Sequence, residues 1–419
     1  MADHRDVLDY VDAHRNELFS LLQKLVSFDT QNPPGGNEKA AQGWVAGRLK
    51  DLGMKVDVFD ALPGRPNAVG VLEGRGGGRS VVLNGHLDVA EVLLPGSWRH
   101  PPFGGEIDGD RMYGRGTSDM KSGLAGFIFA LQALKALGYK LKGDVTVQSV
   151  MGEERGEPGT KACLERGYGG DFAIVGECAR GRDVFVTSIG VMNVAVRVKA
   201  PYSQHLVARR EFNNAGYGRE GANCLEKTAT VIVPALLALE RHWAAFKTHP
   251  HLPPGQAMIN TFAIHGGGNM AVIPSSCELL ATVFSLPNET VEDVRREFEE
   301  HVLAAAKADP WLRKYPPEIE WLPAADPAEF RPCRTDPADP GVLALAAAIE
   351  TVRGEPARIT GRGAIVDGGW FAERGIPVVV YGPGDVSHIH CVDEYLELRD
   401  LLDFTKSVAL FLLRWSGAA

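Results

Sequence analysis

Apolar residues recur at helical spacing from the start of the chain: Val7, Leu8, Val11, Leu18, Leu21, Leu22 and Leu25 predict a helix over residues 4–26. Two prolines and two glycines in Asp29-Thr-Gln-Asn-Pro-Pro-Gly-Gly36 enforce a loop. A second helix, over 38–52, stops at Gly53, a C-terminal capping residue. Short apolar runs at 55–59, 68–72 and 80–84 read as strands. The last is apolar on both faces, as in a buried strand. A long apolar helix at 123–137, a strand at 144–150, a helix at 159–167 and a strand at 172–175 continue the pattern. Strands alternating with helices predict a mostly parallel sheet, hence an α/β fold.

The period then changes. Residues 184–198 alternate, as in an antiparallel sheet with one open face. A helix at 221–242, strands at 256–264 and 278–284, and a helix at 290–308 complete an α+β module. The α/β texture resumes with a strand at 318–322, a helix at 341–353, a strand at 377–380 and a closing helix at 397–414. The proline-rich stretch 323–340 reads as a surface loop. The domain expectation is therefore a discontinuous catalytic unit, 1–185 and 309–419, with an insert at 186–308. A length of 419 residues suits two cores better than one.

Composition changes this picture little: 45% hydrophobic and 23% charged residues are ordinary for a globular protein. A net charge of −9 argues against nucleic acid or an anionic membrane as partner. The N-terminus lacks the apolar core of a signal peptide, and no run is read as reaching membrane-spanning length. Six cysteines without paired spacing indicate neither a disulfide framework nor a thiolate metal cage, and predict a cytoplasmic protein.

The candidate chemistry lies at strand ends. The turn Tyr113-Gly-Arg-Gly-Thr-Ser-Asp-Met-Lys-Ser-Gly123 places Asp119 just before a helix, where ligands of open α/β sheets bind. His86, Glu153-Glu154 and Glu177 each follow a strand-like run, and His390 follows Gly382-Pro-Gly384. Taken singly, each has an ordinary reading as a cap, a core histidine or a turn residue. Taken together they form a metal-ligand set, since carboxylates and imidazoles bind zinc and a carboxylate can bridge two ions. Asp88, two residues past His86, is placed to orient its imidazole. Adjacent buried carboxylates at 153 and 154 are costly without a cation. One of them can ligate while the other moves a proton.

His86-x-Asp88, Gly114-Arg-Gly-Thr-Ser-Asp119-Met-Lys, Gly152-Glu153-Glu154, Val175-Gly-Glu177 and His390-x-x-Asp-Glu394 resemble, in order, the motifs of the dinuclear zinc amidohydrolase family. That family includes acetylornithine deacetylase, succinyl-diaminopimelate desuccinylase, aminoacylase and the glutamate carboxypeptidases. The resemblance implies two Zn2+, with Co2+ or Mn2+ as substitutes. His86 and Glu177 would hold one ion and Glu154 and His390 the other, with Asp119 bridging. It implies Asp88 orienting His86, Glu153 as general base and a cis peptide at Asp119-Met120. It also implies a homodimer through the inserted lid. His205 is the candidate for a lid histidine acting on the partner's site.

Departures fall in the lid. The family's Asn is replaced by Ala271, with Asn269 nearby, and a lid Arg is replaced by Phe284. Either the pocket takes a less charged, apolar or aromatic amide, or Arg358, Arg362, Arg209 or Arg210 supplies the charge. The leading expectation is a zinc-dependent hydrolase of an N-acyl amino acid or related small N-acyl or peptide-like amide. A dipeptidase or an N-carbamoyl hydrolase would use the same metals. A non-catalytic binding protein would lack the base or a ligand, and a two-metal phosphoesterase would need more cations than Arg115 and Lys121.

Overall fold

The computed structural model describes residues 4–201, 203–209, 221–322 and 330–418. These fall into two compact units. One runs up to Ser188 and resumes at Cys333, and the other is Ile189–Pro332.

The first unit opens with helices α1 (Arg5–Ala13), α2 (Arg15–Val26) and α3 (Lys39–Asp51). The predicted first helix is thus two, broken at His14, whose N–H returns to the Tyr10 carbonyl. Strands β1 (Lys55–Leu62), β2 (Arg65–Leu72) and β3 (Val81–His86) follow. A small sheet then contains β4 (Glu106–Asp108) and β5 (Arg111–Tyr113). Next come α4 (Lys121–Ala136), β6 (Val145–Val150), α5 (Pro158–Glu165), β7 (Ala173–Val175) and β8 (Asp183–Ser188).

The inserted unit holds β9 (Gly190–Lys199), β10 (Gln204–His205), α6 (Cys224–Phe246), β11 (Ile259–Gly266), β12 (Val272–Ile273), β13 (Ser276–Ser285), α7 (Val291–Ala308) and β14 (Glu318–Trp321). The first unit closes with α8 (Pro340–Arg353), β15 (Arg358–Arg362), α9 (Gly368–Glu373), β16 (Val378–Val380), β17 (Tyr395–Glu397) and α10 (Leu398–Trp415).

The main sheet runs β1-β2-β6-β3-β7-β16-β8-β15. Its centre is parallel (β6 with β3, β3 with β7, β7 with β16), and β1 and β2 add an antiparallel edge. Strands β3, β6, β7 and β16 are buried along their whole length; β7 and β16 are apolar throughout, whereas β3 also buries Asn84 and β6 buries Thr146, Gln148 and Ser149. Helix α4 is buried nearly all round. A Cβ at Gly123 would sit 2.1 Å from the Gly176 carbonyl oxygen, so glycine lets the start of α4 lie against the end of β7. That contact brings the Asp119 turn to Glu177.

Three expectations need correction here. Residues 184–187 do not open the insert: β8 pairs in parallel with β15 and lies in the main sheet. Strand 318–321 does not mark the return of the α/β unit, because it pairs antiparallel with β9. The alternation of Glu318, Glu320 with Ile319, Trp321 is that of an outer strand with one exposed face. Nor does β9 have the open face expected of it, since it is buried from Gly190 to Val196.

In the insert, the sheet order is β11-β13-β9-β14. Its core includes Ile232, Leu236, Leu239 and Trp243 of α6 together with Phe298 of α7. By length and composition α6 is apolar enough to cross a membrane, contrary to the reading that no segment is. Its buried face accounts for part of that apolarity: it packs in the core of the insert.

Candidate active site

Strand β3 ends on His86, fully buried. Its Nδ1 lies 2.8 Å from the main-chain oxygen of Asp88. The Asp88 carboxylate is 3.9 Å from that nitrogen, so the side chain does not orient the imidazole as expected. It does something else. It accepts N–H bonds from Gly152 (2.7 Å), Glu153 (3.3 Å) and Glu154 (3.3 Å), and one from the Asn32 amide (2.8 Å). A buried carboxylate receiving several N–H donors is a strong anchor, and here it fixes the turn that carries the paired glutamates.

On the other side of the ring, His86 Nε2 lies 3.1 Å from Asp119 Oδ1, 2.8 Å from Glu177 Oε1 and 3.8 Å from Glu153 Oε2. His390 Nε2 lies 3.0 Å from Asp119 Oδ2 and 3.2 Å from Glu154 Oε1. Asp119 thus offers one oxygen to each imidazole. Two donor sets share it: His86, Asp119, Glu177 and Asp119, Glu154, His390, each with ligand atoms within 4.8 Å of one another. His388 stands apart, stacked on Tyr395 with Nε2 2.9 Å from its hydroxyl. The Asp119-Met120 peptide is cis.

The Asp119 turn has its own anchor, which the sequence motif contained but whose role was not recognised. Buried Glu394 accepts N–H bonds from Gly116 (3.0 Å), Ser118 (3.0 Å) and Asp119 (3.3 Å), and pairs with buried Arg115. Burial pushes the Glu394 carboxyl up to about 7, against the pull of Arg115. Asn32 was likewise missed. It sits in the proline-rich loop, where sequence alone predicts only a turn.

Electrostatics show what this basin wants. Burial opposes charge on His86, yet hydrogen bonds to Asp119 and Glu177 hold its pKa well above the usual value. The Asp119 and Glu154 carboxylates raise His390 to about 10. Burial resists ionisation of Asp119, but the two imidazoles hold it well below the carboxylate range. Burial raises Glu153 well above its ordinary range and also raises Glu154. Acceptors thus face acceptors unless positive charge lies between them. Among the described residues, Glu154 Oε1 has only His390 Nε2 near it, and Glu177 Oε2 only Arg362 Nη2, each at 3.2 Å. An imidazole–carboxylate basin of this kind suits divalent cations.

Of the arginines considered as replacements for a lid charge, Arg362 is at the site. It is buried, with Nη2 3.2 Å from Glu177 Oε2 and Nη1 donating to the Cys178 carbonyl. Arg358 pairs with Asp183, and Arg209 pairs with Glu226 inside the insert. Arg210 lies outside the described residues. His205 ends the short strand β10, exposed, its Nδ1 accepting the Val207 N–H. Asn269 caps Ala271 through its side-chain oxygen, and Phe284 packs against the core of the insert.

An open α/β sheet whose strand ends and adjoining turns deliver imidazoles and carboxylates into one basin defines a hydrolase class suited to metal ions. The chain belongs to Peptidase family M20/M25/M40, whose sequence model matches residues 82–414. It is a hydrolase acting on amide bonds.

It is 39% identical over 416 residues to the N-formyl-4-amino-5-aminomethyl-2-methylpyrimidine deformylase of Halalkalibacterium halodurans, covering 98% of this chain and 97% of that one. It is 27% identical to the succinyl-diaminopimelate desuccinylase of Hydrogenovibrio crunogenus, covering 93% and 97%. Among solved structures, an M20 family metallo-carboxypeptidase of Sulfolobus solfataricus superposes with a TM-score of 0.72 at 17% identity, covering 94% of this chain and 98% of that one.

Proposed function

We propose that this protein is a cytoplasmic dinuclear zinc amidohydrolase that removes a small acyl group, formyl foremost, from an amine carried by a heteroaromatic ring. The full-length 39% identity to a deformylase of an N-formyl aminomethylpyrimidine is the observation that carries the substrate class. The lid supports it. Phe284 and Ala271 stand where a carboxylate-binding Arg and an Asn were expected, and an unpaired substrate carboxylate is costly to bury. The six free thiols, five of them buried, suit a reducing compartment.

His86, Glu177 and Asp119 would hold one ion, and Asp119, Glu154 and His390 the other. When bound, such a pair lowers the pKa of a shared water and polarises the amide carbonyl. The remaining chemistry belongs to the chain. Glu153, in a turn clamped by Asp88, takes the proton of the attacking water. The water oxygen bonds to the carbonyl carbon. As the C–N bond breaks, the Glu153 carboxyl returns the proton to the leaving nitrogen, giving an acid and an amine.

The test compares kcat/KM of the zinc-loaded enzyme for an N-formyl aminomethylpyrimidine, N-acetylornithine, succinyl-diaminopimelate and a dipeptide. The formyl compound should lead by tenfold or more, about 1.4 kcal/mol. A lead of that size for either biosynthetic amino acid would overturn the substrate assignment. A lead for the dipeptide would establish the peptidase alternative.

A further inference from the structure

Beside the proposed metal basin lies a buried cation that the chemistry above does not use. Arg362 closes β15, the last strand of the main sheet, and its side chain is buried. The pairing of β15 with β8 shifts register between Thr360 and Arg362. Irregularities of this kind re-aim a side chain, often beside active sites. A buried guanidinium is costly unless it meets a carboxylate and further acceptors. Here Nη1 donates to the Cys178 carbonyl at 2.9 Å and lies 3.7 Å from the Cys178 sulfur. Nη2 stands 3.2 Å from Glu177 Oε2. Arg362 thus reaches back to the residues that follow β7, although β16 and β8 lie between the two strands in the sheet.

Glu177 is held from both sides. Its Oε1 faces His86 Nε2 at 2.8 Å, and its Oε2 faces the guanidinium. The main chain there has no room to shift. A Cβ at Gly382 would sit 2.1 Å from the Gly176 carbonyl oxygen and 2.5 Å from that of Glu177, and Gly123 approaches the Gly176 carbonyl as closely. What freedom remains belongs to the Glu177 side chain. A carboxylate free to rotate can offer an ion either oxygen or both. One whose outer oxygen is paired with a fixed cation offers the other.

We propose that Arg362 is a positioning residue for Glu177, holding Oε2 so that Oε1 is the oxygen presented to the ion shared with His86. This rests on the metal reading above, but on neither the substrate nor the role of Glu153. A planar guanidinium suits the task, because it spans Glu177 and the Cys178 carbonyl at once. A lysine ammonium is a point charge on a flexible stem. With two of its arms engaged by the protein's own acceptors, Arg362 is not the replacement for a lid charge that binds a substrate carboxylate.

The experiment titrates zinc into chelator-stripped wild type, Arg362→Lys and Arg362→Met, reading each ion's affinity by competition with a chromogenic chelator. Arg362→Met should weaken one of the two ions by about 10–100-fold, the usual cost of losing a group that orients a ligand. The other ion should keep its affinity. Arg362→Lys retains the charge without the fork and should lose less. In a Glu177→Ala background, adding Arg362→Met should leave the remaining ion unaffected, since the residue it acts through is gone.

Unchanged zinc affinity in both variants would overturn the proposal, and so would equal weakening of both ions. Further loss in the Glu177→Ala background, or failure of both Arg362 variants to fold, would make Arg362 a structural support instead. No amide is hydrolysed in any arm, so a wrong substrate assignment leaves these outcomes as they are. A wild type that binds no zinc would remove the metal reading itself, and this proposal with it.

Discussion

Asp88 shows how a side chain can be placed correctly and its role misread. Two residues past His86, it was expected to steer the imidazole, and its main-chain oxygen does so at 2.8 Å. The carboxylate instead gathers three N–H groups of the Gly152–Glu154 turn. The consequence is specific. Asp88→Ala should leave zinc affinity within about tenfold, because the backbone still holds His86, while kcat falls a hundredfold or more as the base turn loosens. Groups that hold a metal ligand in its orientation usually cost about 10–100-fold in metal affinity when removed. Loss of zinc on that scale, read by competition with a chromogenic chelator, would restore the side chain to the orienting role. Glu153→Gln should likewise keep both ions and lose about 10²–10⁴-fold in kcat. A fall in zinc content would exchange its role with that of Glu154.

At the scale of elements, legibility followed burial pattern. Strands β7 and β16 are apolar throughout and β3 opens on Val81-Val82-Leu83, because both faces are covered, and those runs could be read directly. The residues their ends deliver were legible with them, since a polar group closing such a run has little structural reason to be there.

Pairing partners were not legible. Residues 186–188 and Glu318–Trp321 were assigned to the wrong units because local period says nothing about which sheet a strand joins. Strand β15 went unread: Arg-Ile-Thr-Gly-Arg is short and polar at both ends. The Glu394 anchor was hidden for a related reason. It lies 275 residues from Asp119 along the chain, whose N–H it accepts. Removing that acceptor should be severe, since three N–H groups and buried Arg115 lose their partner together. Glu394→Ala should cost about 3–5 kcal/mol in denaturant unfolding. A loss under 1 kcal/mol would show that the turn holds without it.

For the whole molecule, the insert presents features that a lone chain leaves exposed. Strand β11 is an edge of its sheet and shows Phe262 and Ile264 to solvent; α6 exposes Leu237 and Phe246. Apolar edges of this kind favour pairing with another chain. We propose a homodimer through this unit, with His205 as its lid histidine. Sedimentation at micromolar concentration should give twice the 45.2 kDa chain mass, and Phe262→Lys with Ile264→Lys should give the monomer. A monomeric wild type would refute the assembly.

The central claim is that one bridged pair of divalent ions, held by His86, Asp119, Glu154, Glu177 and His390, carries the hydrolysis. It is tested most directly by titrating zinc into the chelator-stripped protein, with bound metal and amide hydrolysis followed together. The account predicts no hydrolysis without metal, full activity at two ions per chain, and Asp119→Ala losing metal and rate together. Full hydrolysis by the stripped protein would contradict it.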